Sequence, residues 1–161
     1  MTATDTRTVT HSTFTIERRY PQKPERVFAA FADPAKKRRW YAADSPGRTL
    51  ESFEMDFRVG GWERTVSRFK PGSPFPGVAL SAETNYRDIV PNTRIVTAYT
   101  MTIGDHRMSS SQATFEFHPD GEGTRLVFTD QGAYFEGSDG PEMRQGGWSS
   151  LIDQMGATLA D

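Results

Sequence analysis

Carboxylates near apolar strand positions are the side chains of this sequence that could carry acid–base chemistry. Asp130 follows Leu126 and Phe128 at alternate positions of the last predicted strand, so we expect it to point into the domain. An inward carboxylate without a partner would have a raised pKa and could act as a general base. The alternative that we favour is a structural role, as a cap or turn residue or as the ion-pair partner of Arg64.

Glu83 is the second carboxylate candidate, and the facing of its strand is ambiguous. Tyr86 and Ile89 assign opposite faces to that strand, and a β-bulge would resolve the conflict. The sequence therefore leaves open whether Glu83 faces the interior or the solvent.

Other kinds of reactive centre have little support. His11, His106 and His118 share no metal-type spacing with another ligand, so we expect no metal site and no cofactor. The serines of residues 109–111 lie outside any G-x-S-x-G turn; one or two could donate hydrogen bonds into the interior, or the run is a polar strand edge. Cysteine is absent, which excludes disulfides, thiolate nucleophiles and cysteine-bound zinc.

Composition and charge narrow the function classes. The chain has 161 residues and a net charge of −2, which fits one acidic domain, predicted over residues 13–161 after a disordered tail at 1–12. Its cationic run at residues 36–39 is predicted to be a solvated helix face, so nucleic acid is not an expected partner. No apolar run is long enough for a membrane span or a signal peptide, and we predict a cytoplasmic protein. A homodimer is left open.

The order of predicted elements is a strand, two short helices, about six antiparallel strands and a long helix, which indicates an α+β domain. Pro24 begins the first short helix, and Asp33 and Pro34 cap and begin the second. The long helix is predicted from apolar residues spaced i, i+3, i+4, i+7 and i+11, namely Trp148, Leu151, Ile152, Met155 and Leu159. Gly146, Gly147 and Gly156 weaken that helix, so packing on the sheet must stabilise it, and glycine would allow close approach.

A strictly alternating strand precedes a glycine pair at Gly60 and Gly61. Residues 53, 55, 57 and 59 are apolar, and two consecutive glycines suit a two-residue hairpin turn. That turn would place Arg64 beside Phe57 on the buried face of the sheet. A buried arginine is costly unless it is paired, so the pattern predicts a lined cavity.

Several segments, in this order, resemble bacterial proteins similar to the activator of the heat-shock-protein-90 ATPase, in the START-like (SRPBCC) superfamily with a helix-grip fold. The segments in the first half are Glu17-Arg-Arg-Tyr-Pro21, Arg26-Val-Phe-Ala-Ala-Phe-Ala-Asp-Pro34 with Trp40, and Phe53-Glu-Met-Asp-Phe-Arg-Val-Gly-Gly61. Those in the second half are Tyr86-Arg-Asp-Ile-Val-Pro91, Arg94-Ile-Val96 with Tyr99, Gly123-Thr-Arg-Leu126, Phe128-Thr-Asp-Gln-Gly132 and Gly147-Trp148 with Leu151-Ile-Asp153.

The resemblance implies a curved antiparallel sheet of about six to seven strands around a long C-terminal helix, with an apolar cavity between them for a hydrophobic small molecule. The side chains expected to line it are Trp62, Tyr99, Trp148, Ile152 and Met155, with Arg64 as the orienting polar group. Two alternatives stay open. One is a cyclase, dehydratase or hydrolase using Asp130, Glu83 or a tyrosine, and the other is a module that binds a chaperone.

Overall fold

The computed structural model describes residues 8–160, which form one antiparallel sheet and three helices. The strands are β1 Thr10–Tyr20, β2 Arg48–Asp56, β3 Trp62–Phe69, β4 Ala79–Val90, β5 Arg94–Ile103, β6 His106–Asp120 and β7 Gly123–Tyr134. The helices are α1 Pro24–Ala32, α2 Pro34–Tyr41 and α3 Pro141–Leu159. The strand order is β1-β7-β6-β5-β4-β3-β2, which confirms the predicted α+β arrangement.

Local sequence signals explain the paired short helices. Pro24 begins α1, and the Asp33 carboxylate caps α2 by accepting hydrogen bonds from the backbone N–H groups of Ala35 (2.9 Å) and Lys36 (3.4 Å). These signals were predicted from sequence and are confirmed. The cationic run on α2 is not wholly solvated, however, because Lys37 is buried against the sheet.

The inner face of the sheet is lined by aromatic rings. The ring centroids of Phe115 and Phe128 lie 4.8 Å apart, and that of Trp148 on α3 lies 4.6 Å from Phe128. Phe31 of α1 lies 5.0 Å from Phe115 on the same measure. Helices α1 and α3 therefore pack against the same central strands, β6 and β7.

The buried stripe of α3 begins earlier than the predicted helix. Arg144 lies one turn before Trp148 and is buried with it, so the stripe continues from residue 144 to residue 159. The preceding loop is correspondingly shorter than the predicted 132–141, because β7 continues to Tyr134. Strand β1 likewise begins at Thr10, inside the predicted tail, and residues 1–7 lie outside the described part.

The glycines of α3 differ in whether a neighbouring side chain requires them. A Cβ on Gly156 would lie 2.8 Å from the ring of Tyr20, so that position requires the close approach that the sequence suggested. Nothing lies within 4 Å of a Cβ placed on Gly146 or Gly147, which face outward. The first half of α3 therefore contains two glycines that no contact demands.

The predicted two-residue hairpin at Gly60-Gly61 is wrong. The last β2–β3 pair is Asp56 with Trp62, which leaves a five-residue connection, 57–61. Only Gly60 in this connection has a positive φ, of 82°; Gly61 is needed because a Cβ there would lie 2.1 Å from the Asp56 carbonyl oxygen. Since the register differs by an odd number of residues, every β3 side chain faces opposite to the prediction.

Candidate functional site

The corrected register moves Trp62 and Arg64 to the outer face of the sheet, and Glu83, whose facing the sequence left open, lies on that face with them. Trp62 is 42% exposed, and Arg64 forms an exposed ion pair with Glu83 (3.4 Å). Arg64 is thus neither the orienting group of the interior nor the partner of Asp130, and Glu83 is not an inward acid. The bulge expected in β4 is present between Tyr86 and Asp88, beyond Glu83.

Asp130, in contrast, points inward as the strand alternation predicted. It is 0% exposed, and its Oδ2 accepts a hydrogen bond from the Tyr99 hydroxyl at 2.5 Å. The same hydroxyl accepts hydrogen bonds from Trp148 Nε1 and Arg144 Nη1, each at 3.2 Å. The structure therefore brings together three residues predicted for the site, Tyr99, Asp130 and Trp148, around one phenolic oxygen.

Arg144 organises this cluster from α3 and was missed in the sequence. Its Nε and Nη2 donate to the two carboxylate oxygens of Asp139, each at 2.8 Å, and Nη2 also donates to Ser109 Oγ at 2.9 Å. The guanidinium lies 5.2 Å from the ring centroid of Tyr134. Its place one turn before Trp148 on the buried stripe was the signal that could have found it.

The carboxyl groups around Arg144 have opposite pKa shifts. Burial raises the pKa of Asp130, and the Tyr99 hydrogen bond and the charge of Arg144 reverse this only in part. Burial alone would also raise the pKa of Asp139, but its hydrogen bonds with Arg144 and Ser138 outweigh that effect and lower it. Burial, reinforced by the charge of Asp130, raises the pKa of Tyr134 to about 12.

Three polar atoms at this end of the interior have no hydrogen-bond partner among the described residues. They are Asp130 Oδ1, Ser111 Oγ and the Tyr134 hydroxyl. Buried polar groups in proteins are almost always paired, so these atoms mark a place where a further polar group belongs. We call these three atoms the open polar set.

A second buried cluster joins α2 to the sheet. Lys37 Nζ lies 2.5 Å from Glu63 Oε1, and the Tyr86 hydroxyl donates a hydrogen bond to the same oxygen. Glu63 faces inward because of the register that turns Arg64 outward, so the prediction missed it. Tyr41 lies between the clusters, since Lys37 is 4.7 Å above its ring and its centroid is 6.0 Å from that of Trp148.

Ile152 and Met155, also predicted to line the site, are fully buried further along α3. They form part of the apolar core with Phe115, Phe128 and Trp148. The interior thus has an aromatic and aliphatic body with a polar end at Asp130.

Two surface depressions lie away from this interior. One, of about 390 Å³, lies on the outer face of β1, β7 and β6, around the backbone of Gly132. The other, of about 350 Å³, lies between α1, α2 and the end of α3. Neither is the cavity that the resemblance implies, and the space between the sheet and α3 holds packed rings.

The histidines form no metal site within the described residues. Across residues 8–160, no three side chains of metal-ligand type are grouped to hold an ion. His106 contacts the Glu136 carbonyl oxygen, and His118 lies 3.2 Å from Glu116 Oε1. Within the described part of the chain, none of the three helices has the length and hydropathy needed to cross a bilayer.

The sheet order, the two short helices and the long C-terminal helix define a START-like α+β domain, with a polar cluster at one end of an aromatic interior. The chain belongs to the family described as Activator of Hsp90 ATPase homolog 1-like protein, whose family profile matches residues 21–160. START-like folds commonly bind ligands.

Solved structures agree with this assignment. An uncharacterized protein from Rhizobium leguminosarum is 33% identical, with a TM-score of 0.88 over 96% of this chain and 97% of that one. The Mll3558 protein from Rhizobium loti is 47% identical, with a TM-score of 0.82 over 94% and 99%. An AHSA1-like protein from Aeromonas hydrophila, at 22% identity and a TM-score of 0.64 over 92% of each chain, shares the fold. No curated protein matches this chain.

Proposed function

We propose that this domain binds a hydrophobic or aromatic small molecule between the inner face of the sheet and α3. The observation that carries the proposal is the open polar set, which lies at one end of an interior lined by aromatic rings. Ligand sites in proteins combine apolar walls with a few convergent polar groups in this way.

Access to the interior would require α3 to move, since its side chains now fill that space. Gly146 and Gly147 lower the intrinsic stability of the helical segment that carries Arg144 and Trp148, by about 1 kcal/mol each relative to alanine. No packing contact explains either glycine. A segment that is easily displaced is what a ligand site closed by a helix needs.

The proposal is tested by titrating the protein with N-phenyl-1-naphthylamine, an uncharged fluorescent probe, and by native mass spectrometry. We expect saturable binding with energy transfer from tryptophan. Ile152→Phe, which adds bulk between sheet and helix, should weaken binding by about tenfold, and outer-face Trp62→Phe should leave it unchanged. Circular dichroism checks that both variants fold. The proposal fails if no saturable binding occurs, or if Trp62→Phe weakens binding as much as Ile152→Phe.

An enzymatic role has one specific observation in its favour. Asp130 combines a raised pKa with a free oxygen, which suits a general acid or base in a cyclase, dehydratase or hydrolase reaction. Glu83 no longer contributes, because it lies on the outer face. Loss of turnover in Asp130→Asn with unchanged probe affinity would support catalysis over binding alone.

The remaining predictions concern partners and location. Chaperone binding stays a prediction, as do a homodimer and the absence of nucleic-acid and membrane partners. Light scattering coupled to size exclusion would test the homodimer. A cytoplasmic location stays a prediction from the sequence, which has no apolar run of membrane-span or signal-peptide type, and the cysteine-free composition is compatible with it.

A further inference from the structure

The open polar set lies on the inner face of two paired strands, β6 and β7. Asp130 and Tyr134 alternate on the inner face of β7 with Gly132 between them, and Gly132 pairs with Ser111 of β6. A Cβ on Gly132 would lie 2.8 Å from the Tyr134 ring and 3.0 Å from Ser111 Oγ. Ser111 Oγ and the Tyr134 ring therefore both lie over Gly132, and the ring takes the space that a side chain there would need.

The chemistry of these atoms specifies a mixed hydrogen-bonding partner. Asp130 Oδ1 as a carboxylate oxygen only accepts, whereas the Ser111 and Tyr134 hydroxyls can donate. A group that both donates and accepts satisfies them together. An ether oxygen can accept from the hydroxyls but leaves Asp130 Oδ1 unpaired, and a bare ring leaves all three atoms unpaired. Burying a polar group without a partner costs binding free energy, so these three atoms should favour ligands whose head group pairs with all of them.

Charge at this end favours a neutral partner. The charged side chains that act on Asp130 and Tyr134 are Arg144 and Asp139, and the guanidinium already donates to both Asp139 oxygens. An anionic head would meet Asp130 without a free cation beside it. A cationic head would lie close to Arg144. Arg48, a half-buried arginine of β2, contacts Ser67 of β3, and its charge acts on Tyr41 but not on Asp130 or Tyr134.

We propose that Asp130 Oδ1, Ser111 Oγ and the Tyr134 hydroxyl form a subsite for an uncharged head group that both donates and accepts hydrogen bonds, such as a phenolic or alcoholic hydroxyl on a flat apolar body. The body takes the space between Phe128 and Trp148 that opens when α3 moves away from the sheet. This assignment rests on the proposed ligand-binding function and narrows its ligand class to neutral hydroxyl compounds.

Four naphthalene probes that share one body test the assignment at pH 7 by calorimetry: 2-naphthol, 2-methoxynaphthalene, 2-naphthoate and 2-naphthylmethylammonium. We expect 2-naphthol to bind about tenfold more tightly than each of the others. Ser111→Ala and Tyr134→Phe should each remove most of that preference. Ser110→Ala, the outward neighbour in the same strand, should retain it.

The outcomes separate this subsite from the proposed function. If the probes bind equally, bound water satisfies the three atoms and the subsite is refuted, while ligand binding stands. Tightest binding of 2-naphthoate would also refute it and would favour Arg48 as the anchor. A 2-naphthol preference that survives Ser111→Ala and Tyr134→Phe places the hydroxyl elsewhere. If none of the four probes binds while N-phenyl-1-naphthylamine does, the subsite is refuted and ligand binding stands; if that probe does not bind either, both proposals fail.

Discussion

Removing the charge of Glu63 should strongly destabilise the domain. The carboxylate is 2% exposed and bonds both Lys37 and Tyr86, so Glu63→Gln leaves a buried ammonium without its counter-charge. Breaking a buried pair in this way costs about 3–5 kcal/mol. The exposed pair of Arg64 and Glu83, one residue further along β3 and on the opposite face, is worth at most about 1 kcal/mol.

Urea unfolding followed by tryptophan fluorescence measures the difference. With m of about 2 kcal/mol/M, Glu63→Gln should lower the midpoint by roughly 1.5–2.5 M, and Arg64→Gln by less than about 0.5 M. Lys37→Met alone should cost about as much as Glu63→Gln. The double variant should recover most of the loss, because the new amide oxygen can still accept from Tyr86 while no buried charge remains.

Two results would refute this reasoning. If Glu63→Gln and Arg64→Gln had equal and small effects, Glu63 could not be the buried member of the two, and β3 would have the opposite facing. If the losses from Lys37→Met and Glu63→Gln simply added in the double variant, the two side chains would not be coupled, and the ion pair would contribute no more than an exposed one.

Further predictions concern two glycine substitutions in α3, the pH dependence of stability and the ionisation of the tyrosines. Gly147→Ala should stabilise the domain by up to about 1 kcal/mol through its higher helix propensity. The Gly156→Ala variant should be about 1–3 kcal/mol less stable than the Gly147→Ala variant, because the added methyl group meets Tyr20. Equal thermal midpoints of the two variants would contradict this. The raised pKa of Asp130 means that its contribution to stability is fully present below the unfolded pKa of about 3.9 and is lost as pH rises through the folded value. The stability of the wild type minus that of Asp130→Asn should therefore fall as the pH rises above about 4, and a flat difference would show that Asp130 is solvated. All tyrosines have pKa values raised by burial, so absorbance at 295 nm should show phenolate only as the protein unfolds in alkali; early ionisation of any one would contradict its burial. These tyrosines are Tyr20, Tyr41, Tyr86, Tyr99 and Tyr134.

Local signals made the fold predictable from the sequence. The Asp33 cap, the proline that begins each short helix and the apolar stripe of α3 each depend on residues within one or two turns of one another. The same holds for Asp130, whose inward facing follows from alternation along β7 with no intervening bulge. Family resemblance then supplied the arrangement of these elements, and the observed strand order agrees with it.

The buried charges of the site could not be predicted, because they depend on register between elements. Two consecutive glycines suit a tight hairpin, but Gly61 is required by the nearby Asp56 carbonyl and not by a positive φ. That difference exchanged Glu63 for Arg64 on the inner face. The burial of Lys37 could not be predicted for a related reason. The sequence of a cationic run does not show which of its residues faces the sheet, and the facing of Lys37 follows only once Glu63 is known to point inward.

Helices α2 and α3 are held to the rest of the domain by polar contacts of different strength. Moving α2 away would separate Lys37 from Glu63, a buried ion pair. Moving the first half of α3 would not separate Arg144 from Asp139, because that carboxylate lies just before α3 and can travel with it. The bonds lost would be those to hydroxyl groups such as Tyr99, each worth about 0.5–3 kcal/mol. If a ligand enters between the helices and the sheet, we therefore expect the first half of α3 to move and α2 to keep its position.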